Sequence, residues 1–354
     1  MAIISDDEGL TKRVKKNPII KPETIEYDNT FENSIRPKDF DSYIGQGALK
    51  ETLKITLEAA RKRGKPLDHM LFYGPPGLGK TTIAGVIASQ MGVEIRITSA
   101  PALERPRDII GILMSLKGGE ILFIDEIHRL NKVAEEILYP AMEDFTLDMT
   151  TGKSQTAKTL RVPLPKFTLI GATTKAGELS SPLRDRFGMI HRLEFYTVEE
   201  LAQVVMRTAK ILEVEITEEG AKAIAMRSRG TPRIANRLVK RVSDFAIVKY
   251  DGTINDRVAN ESLDILKIDE FGLDNTDRAL LNLIIDKYDG GPVGIETIAA
   301  ALSEDVRTIE DVCEPYLLQA GLLQRTPRGR KVSPEGYRHL GVRMPSEQRR
   351  LFED

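Results

Sequence analysis

The chain has 354 residues, 41% hydrophobic and 29% charged, with a formal net charge of −2. This composition excludes a disordered or fibrous chain, and the near-neutral balance excludes a uniformly basic nucleic-acid coat. A single cysteine, Cys313, excludes an intramolecular disulfide, and no apolar run is long enough to span a bilayer.

Residues 1–33 are polar, without clear periodicity or a signal-peptide core, and are expected to be mobile at least in part. The first strand signal is the apolar run Met70–Tyr73. It leads into Gly74-Pro75-Pro76-Gly77-Leu78-Gly79-Lys80-Thr81, a complete G-x-x-x-x-G-K-T phosphate loop, and then into a helical pattern over Thr82–Gln90. Strand, glycine loop and helix in that order form a phosphate cradle. The glycines free the backbone to aim N–H groups at an anion, and the helix N-terminus adds partial positive charge. Lys80 is expected to reach the β- and γ-phosphates of ATP, and the Thr81 hydroxyl to ligate Mg²⁺.

A second strand is expected over Glu94–Thr98. The third, Ile121–Ile124, is a wholly apolar run ending in Asp125-Glu126. Such a run fits a parallel strand buried on both faces, with its acids at the carboxyl end where ligands bind. Asp125 is expected to hold Mg²⁺ through water, and Glu126 to polarise an attacking water. Leu147 and Met149, then Leu160, Val162 and Leu164, alternate with polar residues around a tip at Gly152–Gln155. This reads as a protruding β-hairpin. Phe167–Ala172 and Ile190–Phe195 complete the strands. Alternation of strands with helical patterns from Ile35 to Tyr196 predicts a parallel α/β sheet domain.

From Thr197 to Lys267 the pattern is helical. Thr217 begins one helix; Thr231 and Pro232 begin another, on which Ile234, Leu238, Val242 and Phe245 recur at helical spacing. Arg233 then sits at a helix N-terminus, where the dipole disfavours a cation, so an anionic partner is expected. Arg227–Arg241 holds six basic residues and no acid. The last stretch predicts helices over Asn275–Asp286, Ile295–Leu302 and Arg307–Gln319, then a hairpin turning at Pro327-Arg328-Gly329. Three helices and a hairpin make a winged helix. Its turn carries Arg325, Arg328, Arg330 and Lys331 without an acid, which predicts phosphate contact by Arg325, Arg328 and Arg330. The four histidines are scattered and offer no metal-ligand spacing, and Cys313 is expected to pack in a core.

Taken together, these motifs resemble the AAA+ ATPases, and among them the RuvB family of Holliday-junction branch-migration motors. The runs that carry the resemblance are Gly74–Thr82, Asp125–Arg129, Gly171–Thr174, Ser181–Gly188, Gly230–Ala235 and Gln324–Arg330. The resemblance implies four segments: a flexible 1–33, a large ATPase domain 34–196, a small helical lid 197–268 and a winged-helix head 269–354. It implies that Gly77, Lys80, Thr81 and Thr82 hold phosphates and magnesium, and that Asp125 and Glu126 form the Walker B pair. It makes Thr174 a sensor for the lytic water, Arg186 an arginine finger for a neighbour's nucleotide, and Arg233 a second sensor. Ile35 and Arg36 match an adenine-side contact, where the family more often has Leu at the first position. Glu143, Asp144, Phe145 and Tyr196 match positions near the nucleotide. Val306 stands where the family often has Arg beside Arg307, which weakens a DNA contact there.

The implied protein is a cytoplasmic, ATP- and Mg²⁺-dependent motor that forms a ring, in the family a hexamer, on duplex DNA at four-way junctions. Its implied partners are a RuvA-like junction-binding protein, docked on the hairpin at 147–165, and a junction resolvase. Two other readings stay open: a different AAA+ machine such as a clamp loader or unfoldase, and a nucleotide-gated DNA-binding regulator. The unfoldase lacks support, since Pro101–Lys117 contains no aromatic residue. Glu126 argues against a pure switch, which needs no lytic carboxylate.

Overall fold

A computed structural model describes residues 34–151 and 158–344. The expectation of mobility over 1–33, and that of a polar hairpin tip, lie outside the described residues. The chain divides into Met1–Arg36 and Pro37–Asp354, and the sheet, the helical bundle and the head all lie in the second unit.

The strands are β1 (Met70–Tyr73), β2 (Ile95–Ser99), β3 (Ile121–Asp125), β4 (Thr146–Thr151), β5 (Lys158–Pro163), β6 (Thr168–Thr173) and β7 (Met189–Arg192). Five of them form a parallel sheet in the order β2-β3-β6-β1-β7. β7 ends earlier than its apolar run suggests, because Leu193 leaves the ladder after donating to the Tyr73 carbonyl at 2.8 Å.

The period of two along each strand divides the core into two layers. Met70 and Phe72, Ile121 and Phe123, and Ile170 and Ala172 face one side, under the helices Gly47–Arg63 and Lys80–Met91. Leu71, Leu122, Ile124 and Leu169 face the other, under Pro106–Ser115 and Lys132–Glu143. Burying each such side chain contributes about 1.5–3 kcal/mol, so the sheet is a rigid base for loops at its carboxyl edge. Gly171 sits at the centre, where a Cβ would press on Ile127, Phe187 and Leu71 from three sides.

β4 and β5 form the expected hairpin, with Leu147 opposite Val162 and Asp148 opposite Arg161. Arg161 donates two hydrogen bonds to the Asp148 carboxylate, at 2.9 and 3.2 Å. Leu147 and Leu164 are buried at the hairpin base, while Leu160 is 55% exposed on its arm.

The lid helices are Val198–Ile211, Glu218–Met226, Pro232–Lys249 and Asp256–Ile265. Thr197 and Glu200 close a capping box on the first. Its inward residues Leu201, Val205 and Ala209 join Phe72 and Ile83 in one continuous apolar cluster, so sheet face and lid share a core.

The head has its own core, built on Leu280, Ile284, Ile298, Leu317 and Tyr337. Its helices Asn275–Tyr288 and Ile295–Leu302 are regular. The third is not the single helix that its pattern predicts. It runs Val306–Thr308, widens into a π-turn over Ile309–Cys313, and resumes at Glu314–Gln319. Pro315 explains this, since it has no N–H for the Asp311 carbonyl and its ring would clash there. The wing is β8 (Leu323–Thr326) paired with β9 (Gly329–Val332), with Arg325 opposite Arg330. Cys313 is buried, and burial pushes its thiol up to about 12.

Head and lid meet at Arg229. Its Nε donates to the Gly272 carbonyl at 2.7 Å, and its guanidinium pairs with Asp274 at 3.0 Å and with buried Asp277.

Candidate active site

β1 delivers the chain into the phosphate loop. Gly74, Gly77 and Gly79 adopt φ of 142°, 83° and 94°, a region that suits glycine. The helix Lys80–Met91 then starts with no side-chain cap, which leaves its first N–H groups for an anion. Lys80 donates to the carbonyls of Gly74 at 2.7 Å and Pro75 at 3.0 Å. These are oxygens whose place phosphate oxygens would take. Burial pushes Lys80 down to about 8, against the pull of Glu126 and Asp125, and Arg233 lowers it further.

The sheet order decides what faces this loop. β6 lies between β3 and β1, so Thr174 at its end falls between Asp125-Glu126 and the phosphate loop. Glu126 Oε2 accepts from the Thr174 backbone N–H at 3.2 Å and from its hydroxyl at 3.1 Å. Glu126 itself holds a left-handed φ of 47°, a backbone cost consistent with a functional position. Its N–H donates to Asp125 at 3.0 Å. Burial raises both carboxyls, but hydrogen bonds from His128 and Thr174 bring Glu126 below the usual carboxylate range. Asp125 stays raised, by burial and then by the Glu126 charge. Glu126 is thus held as the anion, oriented from three sides.

His128 escaped the reading of the sequence. Its Nδ1 lies 3.2 Å from Glu126 and 2.8 Å from the Thr173 hydroxyl. Its place two residues after the glutamate was the available signal.

The lid closes the other side. The Tyr196 N–H donates to the Gly230 carbonyl at 2.9 Å, and its hydroxyl donates to that of Tyr43 at 3.3 Å and to the Leu78 carbonyl at 3.4 Å. Thr231 stands at the expected N-cap, but its side chain turns back to the Ser228 carbonyl and caps nothing. Pro232 has no N–H, and the Arg233 N–H donates to the Gly77 carbonyl at 3.4 Å, which ties the start of the helix Pro232–Lys249 to the phosphate loop. A Cβ on Gly77 would come within 3.3 Å of the Arg233 Cβ, so Arg233 packs on the loop itself. The chain also places Thr81 and Thr82 in the first turn after Lys80. Among the described residues, no cluster of three or more His, Cys, Asp or Glu could hold a metal alone. A Mg²⁺ here would need phosphate oxygens and water beside Thr81 and Asp125, its usual mode with nucleotides.

A second group gathers at the far end of the sheet. Arg186 lies 3.1 Å from Glu143, stacks 4.4 Å from the Tyr139 ring centroid, and donates to the Pro182 carbonyl at 2.5 Å. Phe145 packs on His69 and Phe167, before β1 begins. Arg186, Glu143, Asp144 and Phe145 are therefore not brought together with Lys80 in one chain. Ile35 and Arg36 belong to the unit Met1–Arg36.

On the wing, the expectation of an un-neutralised basic turn needs correction. Arg330 is buried, and its guanidinium makes two 2.9 Å bonds to Glu314 and lies 3.4 Å from Glu310. The acids come from the preceding helix, not from the hairpin. Arg328 is exposed, and Arg325 is 62% exposed with a loose 3.9 Å approach to Glu310.

No helix among the described residues is long and apolar enough to cross a membrane. Family models match nearly the whole described chain: the Holliday junction DNA helicase RuvB P-loop domain over residues 35–193, the RuvB AAA lid domain over 196–269, and the RuvB C-terminal winged-helix domain over 270–341. The Holliday junction branch migration complex subunit RuvB of Crocosphaera subtropica is 58% identical over the full length of both chains. Its counterpart in Nostoc is 57% identical, covering 96% of this chain and 93% of the relative. The Thermotoga maritima RuvB Holliday junction branch migration motor superposes with a TM-score of 0.81 at 50% identity, covering 88% of this chain and all of that one. Parallel P-loop sheet, AAA lid and winged-helix head, matched in order by these models and relatives, place the chain in the RuvB family.

Proposed function

We infer that this chain is an ATP hydrolase that drives branch migration of Holliday junctions. The observation that carries the chemistry is Glu126, held by Thr174 and His128 at the edge of the phosphate loop. Lys80 and the N–H groups of the loop and helix start bind the phosphates, with Gly77 leaving room for them. Thr81 and Asp125 hold Mg²⁺, which supplies charge neutralisation on the phosphates when bound, and Thr82 supports the same turn. Glu126 takes up the proton of the attacking water, while Thr174 fixes the direction of its carboxylate. Arg233 reports the nucleotide to the lid, and Tyr196 serves its base side.

The chain works as a ring, with six copies as in the family reading. Arg186 of one copy, with Glu143, Asp144 and Phe145 near it, meets the nucleotide of the next. This accounts for their place across the sheet from Lys80, since cyclic contacts pair opposite faces. Arg325 and Arg328 grip DNA phosphates; such contacts carry no sequence information and suit a motor. The hairpin at 147–165, with Leu160 exposed on its arm, docks a RuvA-like junction-binding protein. We place the domain limits at 34–196, 197–268 and 269–354, and the protein in the cytoplasm.

The test is Glu126→Gln in a junction-dissociation assay with ATP, Mg²⁺ and the RuvA-like partner. Nucleotide binding should persist. ATP turnover and junction dissociation should both fall about 10²–10⁴-fold, the usual worth of a general base. Turnover near that of the unsubstituted protein would remove Glu126 from its role.

A further inference from the structure

The head touches the sheet domain beside the nucleotide sensor. Lys175 directly follows Thr174. Its ammonium lies 3.5 Å from Glu178, 3.9 Å from Glu310 and 3.5 Å from Asp311. Glu178 is on its own domain, but Glu310 and Asp311 sit on the π-turn of the head. Glu310 faces the wing as well, 3.9 Å from Arg325 and 3.4 Å from Arg330. A cavity of about 390 Å³ follows this contact, lined by Pro75, Thr174, Lys175, Glu310, Asp311 and Arg325 among others. One continuous line of charges therefore joins the end of β6 to the wing.

We propose that Lys175 is a positioning residue that couples the nucleotide sensor to the DNA grip by docking the head through Asp311 and Glu310. The proposal rests on the reading of Thr174 as sensor and Arg325 as phosphate contact. Its physical basis is competition for one carboxylate. With Lys175 beside it, the charge of Glu310 is shared, and Arg325 is released toward phosphate. When the end of β6 shifts and Lys175 withdraws, the Glu310 charge is left to the two wing arginines, Arg330 at 3.4 Å and Arg325 at 3.9 Å, and its stronger hold on Arg325 competes with DNA. All three partners are only partly exposed, Lys175 at 30%, Glu310 at 27% and Asp311 at 38%. Screening between them is correspondingly reduced.

The test uses the full chain and compares ATP turnover without DNA and at the duplex concentration that half-saturates the unsubstituted protein. Asp311→Lys sets two ammonium groups against each other on the head side, away from the catalytic groups. Turnover without DNA should stay unchanged, while stimulation by duplex should drop about two- to fivefold, the worth of a partly exposed ion pair. Asp311→Asn should fall in the same direction without adding charge. Lys175→Asp combined with Asp311→Lys restores the pair in reverse and should recover the stimulation. Undiminished stimulation in Asp311→Lys would overturn the proposal, as would a double variant no better than the single one. Arg325→Ala separates the underlying reading. Unchanged duplex affinity there, with stimulation still lost in Asp311→Lys, would sink the wing contact while upholding Lys175 as the dock.

Discussion

Burial in the phosphate loop lowers Lys80 from 10.5 to about 8, and its two carbonyl partners hold the ammonium without neutralising it. A phosphate anion favours the protonated form, so binding ATP above about pH 8 must take up a proton. Affinity should be level near pH 7 and weaken by up to about tenfold per unit above pH 8. The effect on folding has the opposite slope: between about 8 and 10.5 the unfolded lysine holds more protons, so stability rises with pH there. Titration calorimetry in two buffers of different ionisation heat would read the proton directly. Lys80→Arg stays charged and should lose the slope; a wild-type affinity flat to pH 9 would refute the assignment. Lys80, Asp125 and Glu126 were legible in the sequence because each motif is contiguous. His128 and Lys175 were not, because the contacts that give them a role, Thr173 for His128 and Glu310 and Asp311 for Lys175, come from another strand or from the head. Arg330 was misread for the same reason, since its carboxylate Glu314 lies 16 residues away on a helix.

At the scale of elements, the wing divides its arginines into two kinds. Arg325 and Arg328 are exposed, and each phosphate contact adds about 0.9 to the slope of log affinity against log salt. Replacing both by Ala should flatten that slope by up to about 1.8 per engaged subunit, equally on unrelated duplexes. An unchanged slope would mean that DNA is held elsewhere. Arg330→Ala should act otherwise. It leaves the buried Glu314 without its partner and should destabilise the head by about 3–5 kcal/mol. Melting of the head, rather than the salt slope, is the measurement for that variant. The parallel strands and the β4–β5 hairpin could be read from apolar runs and alternation. The π-turn could not, because the helical periodicity over 307–319 continues through it, and only Pro315 marks the place where the ladder must widen.

For the whole molecule, Arg186 and Lys80 sit at opposite ends of the sheet, so one chain cannot combine them. On the ring reading, Arg186→Ala should bind nucleotide and lose about 10³–10⁵ in turnover, the worth of an arginine finger. Mixing it with Lys80→Ala should restore some activity, since each variant supplies the half that the other lacks. No recovery at any ratio, in rings shown to be mixed, would count against a shared site. The order of the three domains was legible from their motifs, but which of them share a core was not, because that depends on contacts far apart in sequence. Lid and sheet share one apolar cluster, from Phe72 and Ile83 through Leu201 and Val205 to Val242, whereas the head encloses its own. Lid and sheet should therefore melt as a single cooperative unit and the head as another. Calorimetry on the dilute chain should show two heat-absorption peaks, not three. Lifting the lid clear of the sheet would expose Leu201 and Val205 to water, so any movement of the lid during turnover should be a sliding of packed helices and not a hinge that opens the shared core.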